Sequence, residues 1–333
     1  MKAVFLAGSK GIIDRVYAPE TLERICKLTD AEPVQYTKED VMENPEKFRD
    51  VQYLFSTWGM QLFTEEEIAE LLPNLEAIFY GAGTVQHFAR PFLHKGVKIF
   101  SAWMANGVPV AEYTVAQIIL ANKGFYLRSG LMSRGEVTRA REMAQYYPGN
   151  YGAKIGIIGT GAIGALVCRM LKAYRLEVLA CSLDLTEEKA KELGVQISDI
   201  DTIFRTCNVV SNHLPNNAQT VGILTKEHFS SMKPYATFIN TGRGAQVDEN
   251  GMIQVLQERP DLTAVLDVTY PEPPVPDSLM FQLPNCILTP HVAGSAGDEV
   301  HRMSEWMADE FQLYLQGKPC RYEVSEEMLK TMA

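Results

Sequence analysis

The stretch Lys154-Ile-Gly-Ile-Ile-Gly-Thr-Gly-Ala-Ile-Gly164 lies near the middle of the chain and joins a β-branched run to a helical pattern. Its glycines at 159, 161 and 164 form the pattern G-x-G-x-x-G. The first glycine permits a tight strand-to-helix turn, the second lets backbone approach a pyrophosphate, and the third lets helix pack on strand. The helix N-terminus then offers unpaired N–H groups and a partial positive charge to an anion. The stretch therefore predicts a dinucleotide-binding turn, with a glycine-rich turn that only packs as the alternative.

Length, charge and cysteine usage bound the class of protein. The chain has 333 residues, which fits about two domains, and its formal net charge is −10 without a basic run. This charge argues against nucleic acids and anionic membranes as partners. No apolar run approaches the roughly 18 residues of a membrane span. The six cysteines are scattered without a C-x-x-C pair, so we expect reduced thiols in a cytoplasmic protein and no metal site or disulfide.

Short apolar runs alternate with helical patterns along the N-terminal third of the chain. Thr64, followed three residues later by Glu67, has the signature of a capping box at a helix start. Alternation of strands and helices predicts a parallel sheet with helices on both faces. The expected strands are residues 2–7, 51–55, 77–79 and 97–100, and the expected helices are residues 19–29 and 64–72.

The rest of the chain repeats this alternation around the glycine-rich stretch. A long helical pattern begins at Val110, with a break near Gly124 or Gly130, and another runs from Ser295 to Gln316. Further strands are expected at residues 177–181, 209–212, 237–240, 263–267 and 287–288.

These patterns predict an α/β protein with two doubly wound parallel-sheet domains. Residues 106–291 would form a Rossmann cofactor domain around the glycine-rich stretch. This domain would be inserted into a flavodoxin-like substrate-binding domain, which residues 1–105 and 292–333 would form together.

Arg243 stands between two glycines in Phe238-Ile-Asn-Thr-Gly-Arg-Gly-Ala245, directly after an apolar strand. Ligands of open α/β sheets bind at the carboxyl ends of the strands, so this position favours a functional role. A guanidinium there can hold a carboxylate through two hydrogen bonds and polarise an adjacent carbonyl. The alternative is an exposed surface arginine.

Two further strands of this series end in acidic groups and a histidine. Asp267 ends the strand 263–267, and Glu272 follows in a loop whose prolines restrict the backbone. His291 follows a strand and a proline, and histidine exchanges protons near neutral pH. From the local sequence alone, Glu272 could also be a solvated loop carboxylate. His213 also follows a strand and is placed to line the cofactor site, whereas the remaining histidines lie in helical or surface contexts.

A 2-hydroxy acid presents a carboxylate, a hydroxyl and a hydride-bearing carbon, and these residues match all three. Arg243 would hold the carboxylate. His291 would take the hydroxyl proton or return it, while Glu272 would orient the imidazole and stabilise its protonated form. A nicotinamide would accept or donate the hydride. The sequence has neither the H-E-x-x-H of a metalloprotease nor the G-x-S-x-G of a serine hydrolase.

Several motifs besides the glycine-rich stretch share their order and spacing with one family. They are Leu72-Pro-Asn-Leu75, Gly81-Ala-Gly83, Val110-Ala-Glu112, Val210-Ser-Asn-His-Leu-Pro215, Asn240-Thr-Gly-Arg-Gly244, Leu266-Asp-Val268, Glu272-Pro273 and Thr289-Pro-His291. In these motifs the chain resembles the D-isomer-specific 2-hydroxyacid dehydrogenase family from about Leu72 to Val324.

This resemblance implies roles for particular residues. Arg243, Glu272 and His291 would be catalytic, and backbone N–H groups of Ala82 and Gly83 would join Arg243 in substrate binding. The implied partners are a small-molecule 2-hydroxy or 2-keto acid and a second copy of the chain, in a homodimer formed through the helices of residues 110–144. The expected cofactor-binding residues are Gly159, Gly161, Ala162, Ile163, Gly164, Ser182, His213, Pro215, Thr241 and Asp267, the last with its carboxylate beside the nicotinamide.

One position departs from the family pattern. Members that prefer NAD end the second strand of the cofactor domain with Asp, which binds the ribose hydroxyls. Ser182 stands there in this chain, and Asp184 follows two residues later. Without that carboxylate a 2′-phosphate is not repelled, but no arginine follows to bind one. We expect NAD as the cofactor, with NADP as the alternative.

The main prediction is an oxidoreductase that transfers a hydride between a nicotinamide dinucleotide and a D-2-hydroxy acid or 2-keto acid. The alternative from another class is a dinucleotide-sensing binding protein, similar to the family's corepressor relatives. Formate or phosphonate dehydrogenation is the alternative within the enzyme class. Trp58, Met60, Tyr80 and Trp103 would either wall a pocket for a bulky acid or be ordinary core residues.

Overall fold

The structure is a computed structural model that describes residues 1–330. The chain forms two compact units, each built around one parallel β-sheet. The first unit combines Met1–Gly107 with a segment that begins at Ser295, and the second is Val108–Gly294. The predicted fold class, with two parallel-sheet α/β domains, is confirmed.

The first unit has five strands and six short helices up to residue 101. The strands are β1 (Ala3–Leu6), β2 (Gln35–Tyr36), β3 (Tyr53–Ser56), β4 (Ala77–Tyr80) and β5 (Lys98–Ser101). The helices are α1 (Ile12–Val16), α2 (Pro19–Leu28), α3 (Lys38–Glu43), α4 (Pro45–Phe48), α5 (Glu65–Leu71) and α6 (Ala89–His94). All strands pair in parallel in the order β2-β1-β3-β4-β5, which is the flavodoxin-like order.

Both faces of this sheet are covered. Val4 and Leu6 of β1 pack in one apolar cluster, whereas Ala3 and Phe5 pack in another. Successive side chains of a strand point to opposite faces, so two clusters of this kind require an apolar layer on each side.

Three helices lead into the second unit: α7 (Trp103–Ala121), α8 (Phe125–Ser133) and α9 (Val137–Glu142). The predicted start of α7 at Val110 is wrong, because the helix runs through Pro109 instead of beginning after it. Gly124, with a φ of +65°, separates α7 from α8 as predicted. Gly130 lies within α8, and the second interruption falls instead at Gly135, whose φ is +78°.

The second unit continues with seven strands and five helices. The strands are β6 (Tyr151–Ile158), β7 (Arg175–Cys181), β8 (Gln196–Ile197), β9 (Val209–Asn212), β10 (Thr237–Asn240), β11 (Thr263–Leu266) and β12 (Cys286–Leu288). The helices are α10 (Ala162–Leu171), α11 (Glu187–Leu193), α12 (Ile200–Thr206), α13 (Lys226–Ser231) and α14 (Glu249–Glu258). The sheet order is β12-β11-β10-β9-β6-β7-β8, the Rossmann order with one added strand. The order reverses between β6 and β9, so the carboxyl ends of these strands border the crevice where such folds bind ligands.

The last long helix, α15 (His301–Leu315), returns to the first unit. Its Phe311 ring lies 5.1 Å from that of Phe55 and 5.0 Å from that of Phe79. The predicted start at Ser295 is wrong, because a 3-10 turn at Gly297–Val300 precedes the helix. Within residues 1–330, no helix is long and apolar enough to cross a membrane. The same residues include no group of three or more side chains that could hold a metal ion.

Candidate active site

The turn from β6 to α10 is shaped by its three glycines. Gly159 has a φ of +92°, and a Cβ there would lie 2.6 Å from the carbonyl oxygen of His213. A Cβ at Gly164 would lie 2.0 Å from the carbonyl oxygen of Gly159, so helix and strand meet directly. A Cβ at Gly161, by contrast, would meet no atom within 4 Å. The backbone at Gly161 is therefore open to a ligand.

Donors at the start of α10 are available to such a ligand. The helix has no side-chain cap, so the first N–H groups, including those of Ala162 and Ile163, are without intrahelical acceptors. The hydroxyl of Thr160 is buried and has no hydrogen-bond partner within the described chain. Unpaired donors at the positive end of a helix dipole fit the pyrophosphate of a dinucleotide.

The end of β7 places an acid close to Ser182. The chain turns after Cys181, and the Ser182 hydroxyl donates a hydrogen bond to the Asp184 carboxylate. The Lys189 ammonium donates to the other oxygen of that carboxylate. Burial opposes ionisation of Asp184, but the hydrogen bonds from Lys189 and Ser182 lower its pKa below the usual value. The carboxylate of Asp184 therefore lies beside Ser182, the residue that replaces the expected acid at the end of this strand.

Three other residues expected at the cofactor follow β9 and β10. Nε2 of His213 lies 2.9 Å from the hydroxyl of Ser211, and burial lowers the pKa of His213 to about 4. The ring is therefore neutral at pH 7. Pro215 is half-buried in the loop after β9. The Thr241 hydroxyl is 2.9 Å from that of Thr114 on α7.

Glu272 and His291 are in direct contact, although they are 19 positions apart in the chain. Nδ1 of His291 lies 2.6 Å from Oε1 of Glu272, and their side chains are 50% and 37% exposed. His291 has a φ of +55°, in the left-handed region that residues other than glycine seldom adopt. Such a conformation persists only where the surroundings hold it in place.

The carboxylate of Asp267 holds the turn that carries His291. Oδ1 accepts hydrogen bonds from the Thr289 hydroxyl at 2.6 Å and from the Val292 N–H at 2.8 Å. Oδ2 accepts one from the Ala293 N–H at 2.9 Å. The buried carboxylate that we expected beside the nicotinamide is thus hydrogen-bonded within the protein, on both sides of His291.

Tyr113 was not among the predicted site residues, yet it contacts this network. Its hydroxyl on α7 lies 3.1 Å from that of Thr289. Thr289 stands in a motif that the sequence analysis quoted, whereas Tyr113 lies inside a helical pattern and carries no local signal. Only the packing of α7 against the end of β12 shows its relation to the site.

Arg243 follows β10, the strand next to β11. The Asn240 side-chain amide donates to the carbonyl of Arg243 at 2.9 Å, and Nη1 of Arg243 donates to the Gly242 carbonyl at 2.8 Å. A Cβ at Gly244 would lie 2.0 Å from the carbonyl carbon of Thr269. The Arg243 segment therefore packs against the loop that carries Glu272. Besides the N–H that binds the Gly242 carbonyl, the guanidinium has further N–H groups to offer.

Ala82 and Gly83 lie in the first unit, at the carboxyl end of β4. Their carbonyls accept hydrogen bonds from the Ser101 hydroxyl at 3.1 and 2.5 Å. None of the backbone hydrogen bonds of the described residues uses the N–H of Ala82 or Gly83 as donor. Both N–H groups thus remain available for an anion.

The residues considered for a substrate pocket have mixed surroundings. Met60 and Tyr80 are buried in the apolar cluster on one face of the first sheet, and Trp58 packs against it. The indole N–H of Trp103 is buried and has no partner within the described chain. Met60 and Tyr80 therefore fit the alternative of core residues, whereas Trp103 retains an unused donor.

Comparison with known proteins places this site in a family. A sequence model of the D-isomer specific 2-hydroxyacid dehydrogenase NAD-binding domain matches residues 115–293, which is more than half of the chain. The chain belongs to this family. The glycine turn, Arg243, Glu272 and His291 all lie within the matched range, so this part of the dehydrogenase chain is an NAD-binding domain.

Curated relatives of this dehydrogenase family are distant in sequence. D-3-phosphoglycerate dehydrogenase of Archaeoglobus fulgidus is 27% identical over 266 residues, which cover 80% of this chain and 50% of that protein. Glyoxylate reductase of Korarchaeum cryptofilum is 32% identical over 180 residues, 54% of each chain. The chain spans about half the length of the curated relatives it matches first.

Solved structures share the fold over nearly the whole chain. A phosphoglycerate oxidoreductase from Rhizobium etli matches with a TM-score of 0.81 and 19% identity, over 98% of this chain and 99% of that one. The NAD-complexed D-isomer specific 2-hydroxyacid dehydrogenase from Lactobacillus delbrueckii ssp. bulgaricus has a TM-score of 0.77 and 19% identity, over 98% and 100%. At such identities the similarity establishes the fold of this dehydrogenase family.

Proposed function

We propose that the protein transfers a hydride between NAD and a D-2-hydroxy acid or the corresponding 2-keto acid. The observation that carries this proposal is the 2.6 Å contact of His291 with Glu272 at the carboxyl edge of an NAD-binding sheet. Arg243, at the end of a neighbouring strand of the same sheet, adds a cation suited to a carboxylate.

His291 is the proton-exchange group in this proposal. Because Nδ1 faces Glu272, Nε2 is the ring nitrogen left for the substrate. In reduction, Nε2–H gives its proton to the oxygen that forms from the keto group, and in oxidation Nε2 takes the hydroxyl proton. Glu272 accepts the hydrogen bond from Nδ1–H, which fixes the ring and stabilises the imidazolium. Asp267 keeps His291 in its left-handed turn.

Arg243 binds the acid. The guanidinium of Arg243 offers N–H groups to the substrate carboxylate and polarises the adjacent carbonyl. Ala82 and Gly83, in the first unit, keep their predicted role in substrate binding, with N–H groups that none of the described backbone hydrogen bonds uses.

The glycine turn holds the dinucleotide. Gly159, Gly161 and Gly164 give the backbone its shape, and the N–H groups of Ala162 and Ile163 meet the pyrophosphate. When bound, the nicotinamide would donate a hydride as NADH or accept one as NAD. His213, Pro215 and Thr241 line the same edge in this proposal.

Asp184 takes the place of the acid that the sequence lacks at Ser182. Its carboxylate is held by Ser182 and Lys189, which orients it at the end of β7. A carboxylate there accepts hydrogen bonds from ribose hydroxyls and repels a 2′-phosphate. Asp184 therefore favours NAD over NADP in the proposed enzyme.

A homodimer in the cytoplasm is the proposed assembly and location. Leu120, Phe125, Met132 and Val137 on α7, α8 and α9 are exposed apolar side chains, in the region where the sequence analysis expects self-association. All six cysteines are free thiols, which fits a reducing compartment. Analytical ultracentrifugation would test the dimer against a monomer of 37.2 kDa.

The test of the proposed activity is a panel of 2-keto acids of increasing side-chain size, each assayed with NADH and with NADPH. We expect oxidation of NADH by at least one acid, to a D-configured product, and weaker activity with NADPH because of Asp184. Tight NADH binding without turnover of any acid would favour the sensor alternative. Turnover of formate with NAD, and of no 2-keto acid, would overturn the proposed substrate class.

A further inference from the structure

Glu249 stands behind the loop that carries Glu272. It is the first residue of α14, and its Oε1 accepts a hydrogen bond from the backbone N–H of Tyr270 at 2.7 Å. Tyr270 precedes Glu272 by two residues. A shift of the Tyr270 peptide would therefore move the backbone from which the Glu272 side chain extends.

The loop is exposed on its outer side and anchored on its inner side. The Tyr270 side chain is 68% exposed, so it adds little packing of its own. On the inner side, a Cβ at Gly244 would meet the carbonyl carbon of Thr269 at 2.0 Å. The Thr269 hydroxyl also donates to the Pro271 carbonyl at 2.8 Å. Glu249 adds a side-chain anchor to a segment that is otherwise held by close backbone packing.

The environment of Glu249 does not favour a carboxylate. Burial raises the pKa of Glu249 to about 7, although the hydrogen bond from Tyr270 opposes the shift. The neighbouring carboxylate of Asp248 is engaged separately, as it accepts the Gly251 N–H at 3.0 Å and caps α14. Ionisable groups that burial shifts in this way are concentrated at functional sites.

The contact that this anchor would control is sensitive to small displacements. Oε1 of Glu272 lies 2.6 Å from Nδ1 of His291. A displacement of about 1 Å in a catalytic arrangement can cost on the order of 10²-fold in rate. Glu249 does not need to contact the substrate to affect turnover.

We propose that Glu249 is a positioning residue: it holds the N–H of Tyr270 and thereby keeps Glu272 in contact with His291. The inference rests on the proposed function, in which the Glu272–His291 pair exchanges the substrate proton. It assigns to Glu249 no contact with NAD or with the acid.

Length and charge of the side chain can be separated by substitution. Glu249→Gln keeps an oxygen acceptor at the same distance from the backbone and removes the charge. Glu249→Asp keeps the charge and shortens the side chain by one methylene. Glu249→Ala removes both, and Glu258→Ala, at the exposed far end of the same helix, is the matched control.

We expect the alanine and aspartate variants to lose about tenfold in kcat for a 2-keto acid, because the loop loses its anchor. Glu249→Gln should keep kcat within about threefold, since a neutral amide oxygen still accepts a hydrogen bond. NADH affinity should stay within about twofold in all variants, because the hydrogen bond of Glu249 is to the Tyr270 loop and not to the glycine turn. Melting temperatures would identify any variant that fails to fold, and the glutamine and aspartate pair then carries the comparison.

A second measurement does not depend on activity. The ring signals of His291, assigned by their loss in His291→Asn, report the contact with Glu272 in nuclear magnetic resonance spectra recorded at one fixed pH. Glu249→Ala and Glu249→Asp should shift these signals in the direction of Glu272→Gln, whereas Glu249→Gln should match the wild type.

The outcomes separate the two proposals. If wild-type protein turns over a 2-keto acid but Glu249→Ala matches it in both kcat and the His291 ring signals, the positioning role is overturned and the proposed function stands. If aspartate replaces glutamate fully and glutamine does not, Glu249 acts through its charge and the inference is also overturned. If wild-type protein turns over no acid, the proposed function fails, and the His291 ring signals still decide whether Glu249 positions the pair.

Discussion

Each unit contains a turn from its first strand to a helix. The two turns differ in whether a side chain of the protein hydrogen-bonds to their backbone. In the first unit, the turn from β1 to α1 is filled by the side chain of Gln35, whose Nε2 donates to Ala7 and Ser9 carbonyls at 2.9 Å. Its Oε1 accepts the Ile13 N–H of α1 at 3.3 Å. In the second unit, the turn from β6 to α10 has no side-chain cap, and Gly161 faces open space.

The difference shows that a shared architecture does not make a shared site. Both turns lie where the strand order of a parallel sheet reverses, the position where such sheets bind ligands. In the first turn the N–H groups of Ile12 and Ile13 are paired within the protein, and α1 has 5 residues. The second leaves its donors for a ligand at the start of a helix of 10 residues. We therefore propose that the cofactor binds at the second turn, and the predictions below test this proposal.

The largest expected effect is the loss of turnover in His291→Asn. Asparagine tolerates the left-handed φ of this position, so the turn should persist while the proton-exchange group is removed. We expect kcat for a 2-keto acid to fall by about 10²–10⁴-fold, with NADH affinity unchanged. His94→Asn, in the first unit, is the control histidine. If His291→Asn turned over the acid as fast as the wild type, His291 of the second unit would not be the proton-exchange group.

A crossed pair of glycine substitutions tests the two turns against each other. Gly161→Ala should raise the Kd for NADH at least about tenfold and leave the melting temperature unchanged, because the methyl group enters space that only a ligand fills. Gly11→Ala, in the first turn, should lower the free energy of unfolding by about 1 kcal/mol and leave NADH binding unchanged, because Gly11 has a φ of +75°.

Fluorescence titration with NADH and thermal unfolding of both glycine variants give the two readouts. The comparison fails if Gly11→Ala weakens NADH binding as much as Gly161→Ala does. It also fails if Gly161→Ala binds NADH as tightly as the wild type.

The last expected effect appears only at acidic pH and concerns His213, whose carbonyl lies against Gly159. An unfolded histidine takes up a proton near pH 6.5, whereas burial lowers the pKa of folded His213 to about 4. Between these two values the unfolded chain binds more protons at this histidine than the folded chain does. The free energy of unfolding therefore falls as pH drops below about 6.5. His213→Gln should reduce the loss of unfolding free energy between pH 7 and 5 by roughly 1–2 kcal/mol.

Urea unfolding at the two pH values measures this effect. His94 is a useful contrast, because its hydrogen bonds to Glu65 and Glu326 raise its pKa and its contribution has the opposite sign. If the wild type and His213→Gln lost the same free energy of unfolding between pH 7 and pH 5, the His213 ring would not set the acid sensitivity.

Features with a local signal were predictable from the sequence. The capping box at Thr64 forms, with its hydroxyl accepting the Glu67 N–H at 3.2 Å and the Glu67 carboxylate accepting the Thr64 N–H at 2.8 Å. The strand, turn and helix around the glycine-rich stretch also form as their pattern predicts. In each case the residues that decide the structure stand within a few positions of each other.

Features that depend on distant parts of the chain were not predictable. The left-handed φ of His291 is maintained by hydrogen bonds to Asp267, and no residue next to His291 in the sequence predicts it. Asp184 reaches Ser182 because the chain turns after β7, where the sequence pattern indicates only the end of a strand. Short helices such as α12 and α13, of 7 and 6 residues, are too brief for a clear periodic signal.

In this account, NADH bound at the edge of the second sheet transfers its hydride to C2 of a 2-keto acid. NADH that is deuterated at the transferred position of the nicotinamide, incubated with the protein and the best acid of the panel, tests it directly by mass spectrometry and proton resonance of the product. We predict a D-2-hydroxy acid with one deuterium at C2, formed by the wild type and at least about 10²-fold more slowly by His291→Asn. A product without deuterium at C2, or no product from any acid while NADH binds, would contradict the account.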